Sequence, residues 1–172
     1  MISLSDNEFS VISFLVRNFA EKLTIRNMAQ RLGFSAAGVF NILKKLEKEN
    51  IVTGQKLGTG LFYAINLENS IARHLACVVL LHSEDKINID AAMFKHAKAA
   101  IFDKKNLLLV TDSITPIEIS IPNVNVIVKT EDEAVSLLRK KDSEMLAILK
   151  KGVVLLGEDK FAEIIKNCIS GF

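Results

Sequence analysis

The chain has 172 residues, of which 49% are hydrophobic and 24% charged, and its formal net charge is +2. This composition excludes global disorder, because enough apolar side chains are present to bury a substantial core. The longest apolar run, Leu75 to Leu81, has seven residues, whereas a membrane span needs ~18, and the N-terminus lacks the regions of a signal peptide. We therefore expect a cytoplasmic protein with one domain or two small ones.

Charge is unevenly distributed along the chain. Residues 1–66 contain eight Lys and Arg against five Asp and Glu, whereas residues 67–172 contain fourteen against fifteen. A small basic module followed by a near-neutral one is compatible with nucleic-acid binding by the first module. The two cysteines and three histidines do not have the spacing of a disulfide framework or of a metal site, so neither is expected.

The first third of the chain predicts three helices. Apolar residues recur with helical spacing in the segments 7–20, 25–32 and 36–49. Asp6, Thr24 and Ser35 precede these segments and are the predicted N-caps, since their side-chain oxygens can accept hydrogen bonds from the first turn. Gly33 ends the second helix, because glycine adopts the left-handed conformation at least cost.

The third helix has two different faces. Its predicted core positions follow the i, i+3, i+4, i+7 rule and are Val39, Ile42, Leu43 and Leu46. The opposite face carries Ala36, Ala37, Phe40, Asn41, Lys44, Lys45 and Lys48. We expect this second face to be available for binding.

A β-hairpin follows the third helix. Residues 51–57 and 61–65 predict two short strands, and Gly58-Thr59-Gly60 between them permits a tight turn. Leu32-Gly33-Phe34-Ser35, the segment 39–52 and the glycine-tipped hairpin resemble the winged helix-turn-helix domains of MarR-like transcription regulators. The resemblance implies that the first domain binds double-stranded DNA.

The DNA-binding hypothesis assigns roles by side-chain type. A helix of this length fits the major groove, and its first turns reach the base edges. Asn41 can pair with an adenine edge, Phe40 can contact a thymine methyl, and the basic side chains can neutralise phosphates. The candidate DNA-binding residues are Arg26, Ser35, Ala36, Ala37, Phe40, Asn41, Lys44, Lys45, Lys48, Lys56 and Thr59. The alternatives are a merely solvated face, or a winged helix that docks a protein.

Residues 67–82 predict another helix, which is apolar on nearly all sides and must therefore be covered. We expect it to pack against a partner subunit in a homodimer; packing within its own chain is the alternative. The polar segment Ser83-Glu84-Asp85-Lys86 is the predicted hinge.

In the remaining residues, segments with the apolar pattern of a strand alternate with segments that have the apolar spacing of a helix. Strands are predicted over 99–102, 106–112, 117–121, 125–129 and 153–156, and helices over 131–139, 143–150 and 158–168. Interleaved strands and helices indicate a small α/β domain.

The segment from Glu131 to Phe161 resembles the end of the small nucleotidyltransferase domains that archaeal proteins fuse behind a winged helix. The resemblance implies a Gly-Ser pair that holds nucleotide phosphates and three carboxylates that hold Mg²⁺ ions. In this chain Asp103-Lys104 stands in place of Gly-Ser, while Lys104, Asn106 and Asn125 stand at the carboxylate positions. We therefore expect a catalytically inactive domain, so that the protein is not an enzyme and needs neither cofactor nor metal.

These observations predict an α+β protein with two domains. Residues 1–67 would form the winged helix, 68–90 a linker and dimerisation helix, and 91–172 the degenerate nucleotidyltransferase-like domain, retained for dimerisation or for binding a small-molecule or protein effector. The predicted function is transcriptional regulation as a homodimer on double-stranded DNA. The alternatives are a protein-interaction scaffold and a non-catalytic nucleotide sensor.

Overall fold

The structure is a computed structural model that describes residues 4–82, 94, 97–112 and 121–169. Its first unit contains α1 (Asp6–Arg17), α2 (Ile25–Leu32), α3 (Ala36–Lys48), β1 (Val52–Leu57), β2 (Gly60–Ile65) and most of α4 (Ser70–Leu81). Its second unit contains β3 (Ala99–Asp103), β4 (Asn106–Thr111), β5 (Asn125–Thr130), α5 (Glu131–Arg139), α6 (Ser143–Lys151), β6 (Val153–Leu156) and α7 (Glu158–Ile169). The division between the two units falls between Val79 and Leu80.

The first unit begins with three helices and a two-stranded hairpin, which is the arrangement of a winged helix. Strands β1 and β2 are antiparallel, with Val52 opposite Ile65 at the base and Leu57 opposite Gly60 at the tip. Thr24, just before α2, also forms an antiparallel bridge with Phe62 of β2. This bridge, which the sequence did not predict, joins the chain before α2 to the hairpin. The largest side chains sealed in this core are Ile12, Met28, Leu43, Leu46 and Ile51.

The N-cap predicted for α1 is wrong by one residue. The cap is Ser5 rather than Asp6, because the Ser5 hydroxyl accepts from the Glu8 backbone N–H and the Glu8 carboxylate accepts from the Ser5 N–H, forming a reciprocal capping box. The helix also ends at Arg17 rather than near residue 20. Asn18 is its C-cap, and the side-chain amide of Asn18 donates to the Phe14 carbonyl, as does its backbone N–H. The predicted caps at Thr24 and Ser35 and the left-handed Gly33 are confirmed.

Helix α4 begins where the Asn69 side chain accepts hydrogen bonds from the backbone of Ile71 and Ala72. Ala72 and its helical neighbours on the same side are buried, whereas Ile71 and Val78 are 42% and 52% exposed. The apolar stripe that contains Ile71 and Val78 is therefore solvent-exposed in the single chain. Whether a partner subunit covers this stripe stays a prediction.

The second unit is a four-stranded sheet in the order β5-β4-β3-β6 with helices packed on it. Strand β3 is antiparallel to β4 and to β6, while β4 and β5 are parallel. Helix α6 contacts β3, α5 contacts β4 and β5, and α7 contacts β3. The predicted mixture of strands and helices is confirmed for the described residues; the predicted strand 117–121, except its last residue, and the predicted hinge 83–86 lie outside them.

Candidate nucleic-acid interface

Helix α3 separates a sealed face from an open one. Val39, Leu43 and Leu46 have no solvent exposure, and Ile42 is half-buried at the edge of this face. Every candidate on the opposite face is exposed: Ala36, Ala37, Phe40, Asn41, Lys44, Lys45 and Lys48. The packing of α3 against α1, α2 and β1 therefore holds the helix by its apolar side and leaves the predicted binding side in solvent.

Ser35 has a local structural role at the start of this face. Its hydroxyl accepts a hydrogen bond from the Gly38 backbone N–H at 3.0 Å, which caps the first turn of α3. Ala36 and Ala37 follow directly, and their side chains are too small to project far from the helix. Such small side chains in the first turn allow another molecule to approach the helix closely.

Lys44 is held by two neighbours on α3. Its ammonium lies 2.7 Å from a carboxylate oxygen of Glu47 and 5.9 Å from the centre of the Phe40 ring. The Glu47 carboxylate, and after it the Tyr63 phenol of β2, raise the pKa of Lys44 above its ordinary value. Lys44 is therefore charged, but it is already paired.

Lys45 is held by a residue from another helix. Its ammonium lies 2.6 Å from Oε1 of Glu8, whose Oε2 accepts the Ser5 backbone N–H at 2.8 Å. The Glu8 side chain is only 8% exposed, whereas that of Lys45 is 47% exposed. The hydrogen bond from Lys45, followed by the one from Ser5, lowers the pKa of Glu8 from its ordinary value.

The lowered pKa of Glu8 predicts an acid-sensitive contribution to stability. A carboxyl whose folded-state pKa is depressed stabilises the fold above its unfolded pKa, and this contribution disappears as the pH falls through the lower, folded value. Glu8→Gln should therefore lower the stability of the first unit at neutral pH and flatten its pH dependence below pH 4.5. Urea unfolding at a series of pH values measures both. A variant with the same acid dependence as the wild-type chain would contradict the prediction.

Three of the predicted basic residues have no ionic partner among the residues that the structure describes. Arg26, Lys48 and Lys56 are exposed, and no ion pair joins any of them to another residue of the described ranges. Thr59 is also exposed, in the turn of the hairpin where Gly58 has a φ of +60°. The positive charge of these three residues thus lies in the first turn of α2, at the end of α3 and on the hairpin.

Sequence reasoning missed the two acids that hold Lys44 and Lys45. The Lys44–Glu47 pair has i, i+3 spacing, which is itself a recognisable signal for contact on a helix. Glu8 lies far from Lys45 in the sequence, so that no local pattern indicates the second pair. Only the packing of α1 beside α3 brings Glu8 and Lys45 together.

In the second unit the structure brings together two of the predicted carboxylate-position residues. Asn106 and Asn125 face each other across the parallel pair of β4 and β5, and the Asn125 amide donates to Asn106 Oδ1 at 3.1 Å. Lys104 lies in the β3–β4 turn, with a φ of +54°. Within the described ranges, no group of three or more His, Cys, Asp or Glu side chains could hold a metal ion.

None of the helices in the described part of the chain is long and apolar enough to cross a membrane. In comparisons with known proteins, no family model and no curated protein matches the chain. Among solved structures, it is similar to CymR (YrzC), the global cysteine regulator of B. subtilis, at 14% sequence identity. The match covers 55% of this chain and 80% of CymR with a TM-score of 0.35, which is too low to support an inference about function.

Proposed function

We propose that the chain binds double-stranded DNA as a transcriptional regulator, with α3 in the major groove and the β1–β2 hairpin beside it. The observation that carries the proposal is the division of α3 into a fully sealed apolar face and an open face. The open face combines small, amide, aromatic and basic side chains. Such a helix, held by its apolar side and followed by an exposed hairpin, meets the geometric requirement for groove binding.

The contacts of this complex divide into two classes. Asn41 would read an adenine edge and Phe40 a thymine methyl, while Ala36 and Ala37 allow the helix to come close. Ser35, at the start of α3, would lie beside the DNA backbone, and Thr59 would contact the DNA backbone from the hairpin. The phosphate contacts would come first from the unpaired cations Arg26, Lys48 and Lys56, since Lys44 and Lys45 must first leave their acids.

We assign the rest of the chain as follows. Residues 1–67 form the DNA-binding domain, 68–90 join it to the second domain and supply the homodimer contact, and 91–172 are a nucleotidyltransferase-like domain without activity. Support for inactivity comes from Asn106 and Asn125, which are neutral and hydrogen-bonded to each other, because neutral amides cannot supply the charge that two Mg²⁺ ions require. We propose a cytoplasmic protein that is not an enzyme.

Direct binding to duplex DNA tests the proposal. The full chain should bind a fluorescently labelled duplex of mixed sequence at low salt, measured by anisotropy. With three phosphate contacts, the slope of log K against log salt should be about −2.7 for each bound protomer, because each contact contributes about −0.9. Absence of binding at low salt, or binding that does not change with salt, would contradict the proposed function.

A further inference from the structure

Two of the three lysines on the open face of α3 are neutralised by acids of the same unit. Lys44 is paired with Glu47 at 2.7 Å and Lys45 with Glu8 at 2.6 Å. Lys48, one turn further along the helix, belongs to the unpaired group. The part of α3 that follows Phe40 and Asn41 therefore presents less positive charge than its sequence indicates.

The Glu47 carboxylate lies beside the hairpin. A Cβ atom added at Gly54 of β1 would lie 2.6 Å from Glu47 Oε1 and 3.0 Å from the Tyr63 ring, so Gly54, Glu47 and Tyr63 are in close contact. The Glu47 side chain is 32% exposed, less than the 45% of Lys44. The carboxylate that pairs with Lys44 is therefore the less exposed partner of this ion pair.

The Glu8 carboxylate is held by two contacts within the first unit. It closes the capping box of α1, accepting the Ser5 backbone N–H at 2.8 Å while its other oxygen contacts Lys45. If Lys45 moved to a phosphate, a buried carboxylate would be left without its charged partner. Removing one partner of a buried charge pair is more costly than breaking an exposed pair, so Lys45 is the more strongly held of the two lysines.

Phosphate attraction raises the affinity for every DNA sequence equally, whereas base contacts discriminate between sequences. We propose that Glu8 and Glu47 are specificity-determining residues of the DNA-binding surface: they hold Lys45 and Lys44 away from phosphates and so weaken non-specific binding. Discrimination then depends on Phe40 and Asn41, which lie on the same face. This inference rests on the proposed function, since it presumes that the open face of α3 meets DNA.

Neutralising the carboxylates tests the inference. Glu47→Gln should tighten binding to a mixed-sequence duplex by about two- to fivefold at low salt and steepen the salt dependence. The reason is that the substitution removes an exposed ion pair and so releases Lys44 to contact a phosphate. Glu8→Gln should act in the same direction through Lys45. Adding Lys44→Ala to Glu47→Gln should abolish the gain.

A matched control separates this local effect from a change in net charge. Asp132→Asn removes one negative charge from an exposed position of the second unit and should leave the affinity unchanged. If the wild-type chain binds but Glu47→Gln and Glu8→Gln bind no more tightly than Asp132→Asn, the inference fails while the proposed function stands. If neither the wild-type chain nor any variant binds at low salt, both fail.

Discussion

Replacing Arg26, Lys48 and Lys56 together with alanine should weaken DNA binding by about a hundredfold or more at ~0.1 M salt, since each lost phosphate contact is worth nearly tenfold there. These three are exposed cations without an ionic partner in the described part of the chain. The slope of log K against log salt should become shallower by about 2.7, at about 0.9 for each contact. Anisotropy titrations with one mixed-sequence duplex at several salt concentrations measure both quantities.

A charge-matched triple variant is the control for this experiment. Lys105, Lys140 and Lys151 are exposed lysines of the second unit, and their replacement by alanine removes the same number of charges. This control should bind with nearly the wild-type affinity and slope. Equal loss in the two triple variants would indicate that net charge, and not the face built by α2, α3 and the hairpin, determines binding.

Gly157→Ala should destabilise the second unit by about 2–5 kcal/mol, the sum of left-handed strain and overpacking. Gly157 precedes α7 with a φ of +72°, where a side chain is disfavoured, and an added Cβ would lie 2.8 Å from Ala99 Cβ and 2.9 Å from Ala99 Cα. Ala99 is a fully buried residue of the central strand β3, so it has little room to move. The measurement is amide hydrogen exchange of β3 and β6 in the variant and in the wild-type chain.

Gly33→Ala is the matched comparison for Gly157→Ala. Gly33 has nearly the same φ, +70°, but an added Cβ would meet nothing within 4 Å. Its replacement should therefore destabilise the first unit by the strain alone, about 1–2 kcal/mol. Equal destabilisation by the two substitutions in their own units would mean that the contact between Gly157 and Ala99 is unimportant.

Local signals were sufficient to predict most of the secondary structure. The buried side of α3 followed from apolar spacing, and the caps at Thr24 and Ser35 followed from residue type, because both depend on neighbours within one helical turn. The α1 cap was wrong because Ser5 and Asp6 are adjacent and both are good caps. The reciprocal bonds between Ser5 and Glu8 select Ser5.

Long-range contacts could not be predicted in this way. The bridge between Thr24 and Phe62, the hydrogen bond between Asn125 and Asn106, and the ion pair between Lys45 and Glu8 each join residues that are distant in sequence. No periodicity or spacing records such partners. They form because apolar faces pack and bring polar side chains next to one another.

The sequence by itself determined where the helices and strands lie, which face of α3 is apolar, and which residue types stand on the other face. Only the tertiary structure decided how much positive charge that face presents, because charge at a surface depends on which acids are folded against it. Glu8 reaches Lys45 from α1, and Glu47 pairs with Lys44 beside the hairpin. Of the three lysines of α3, Lys48 alone therefore has no ionic partner among the residues that the structure describes.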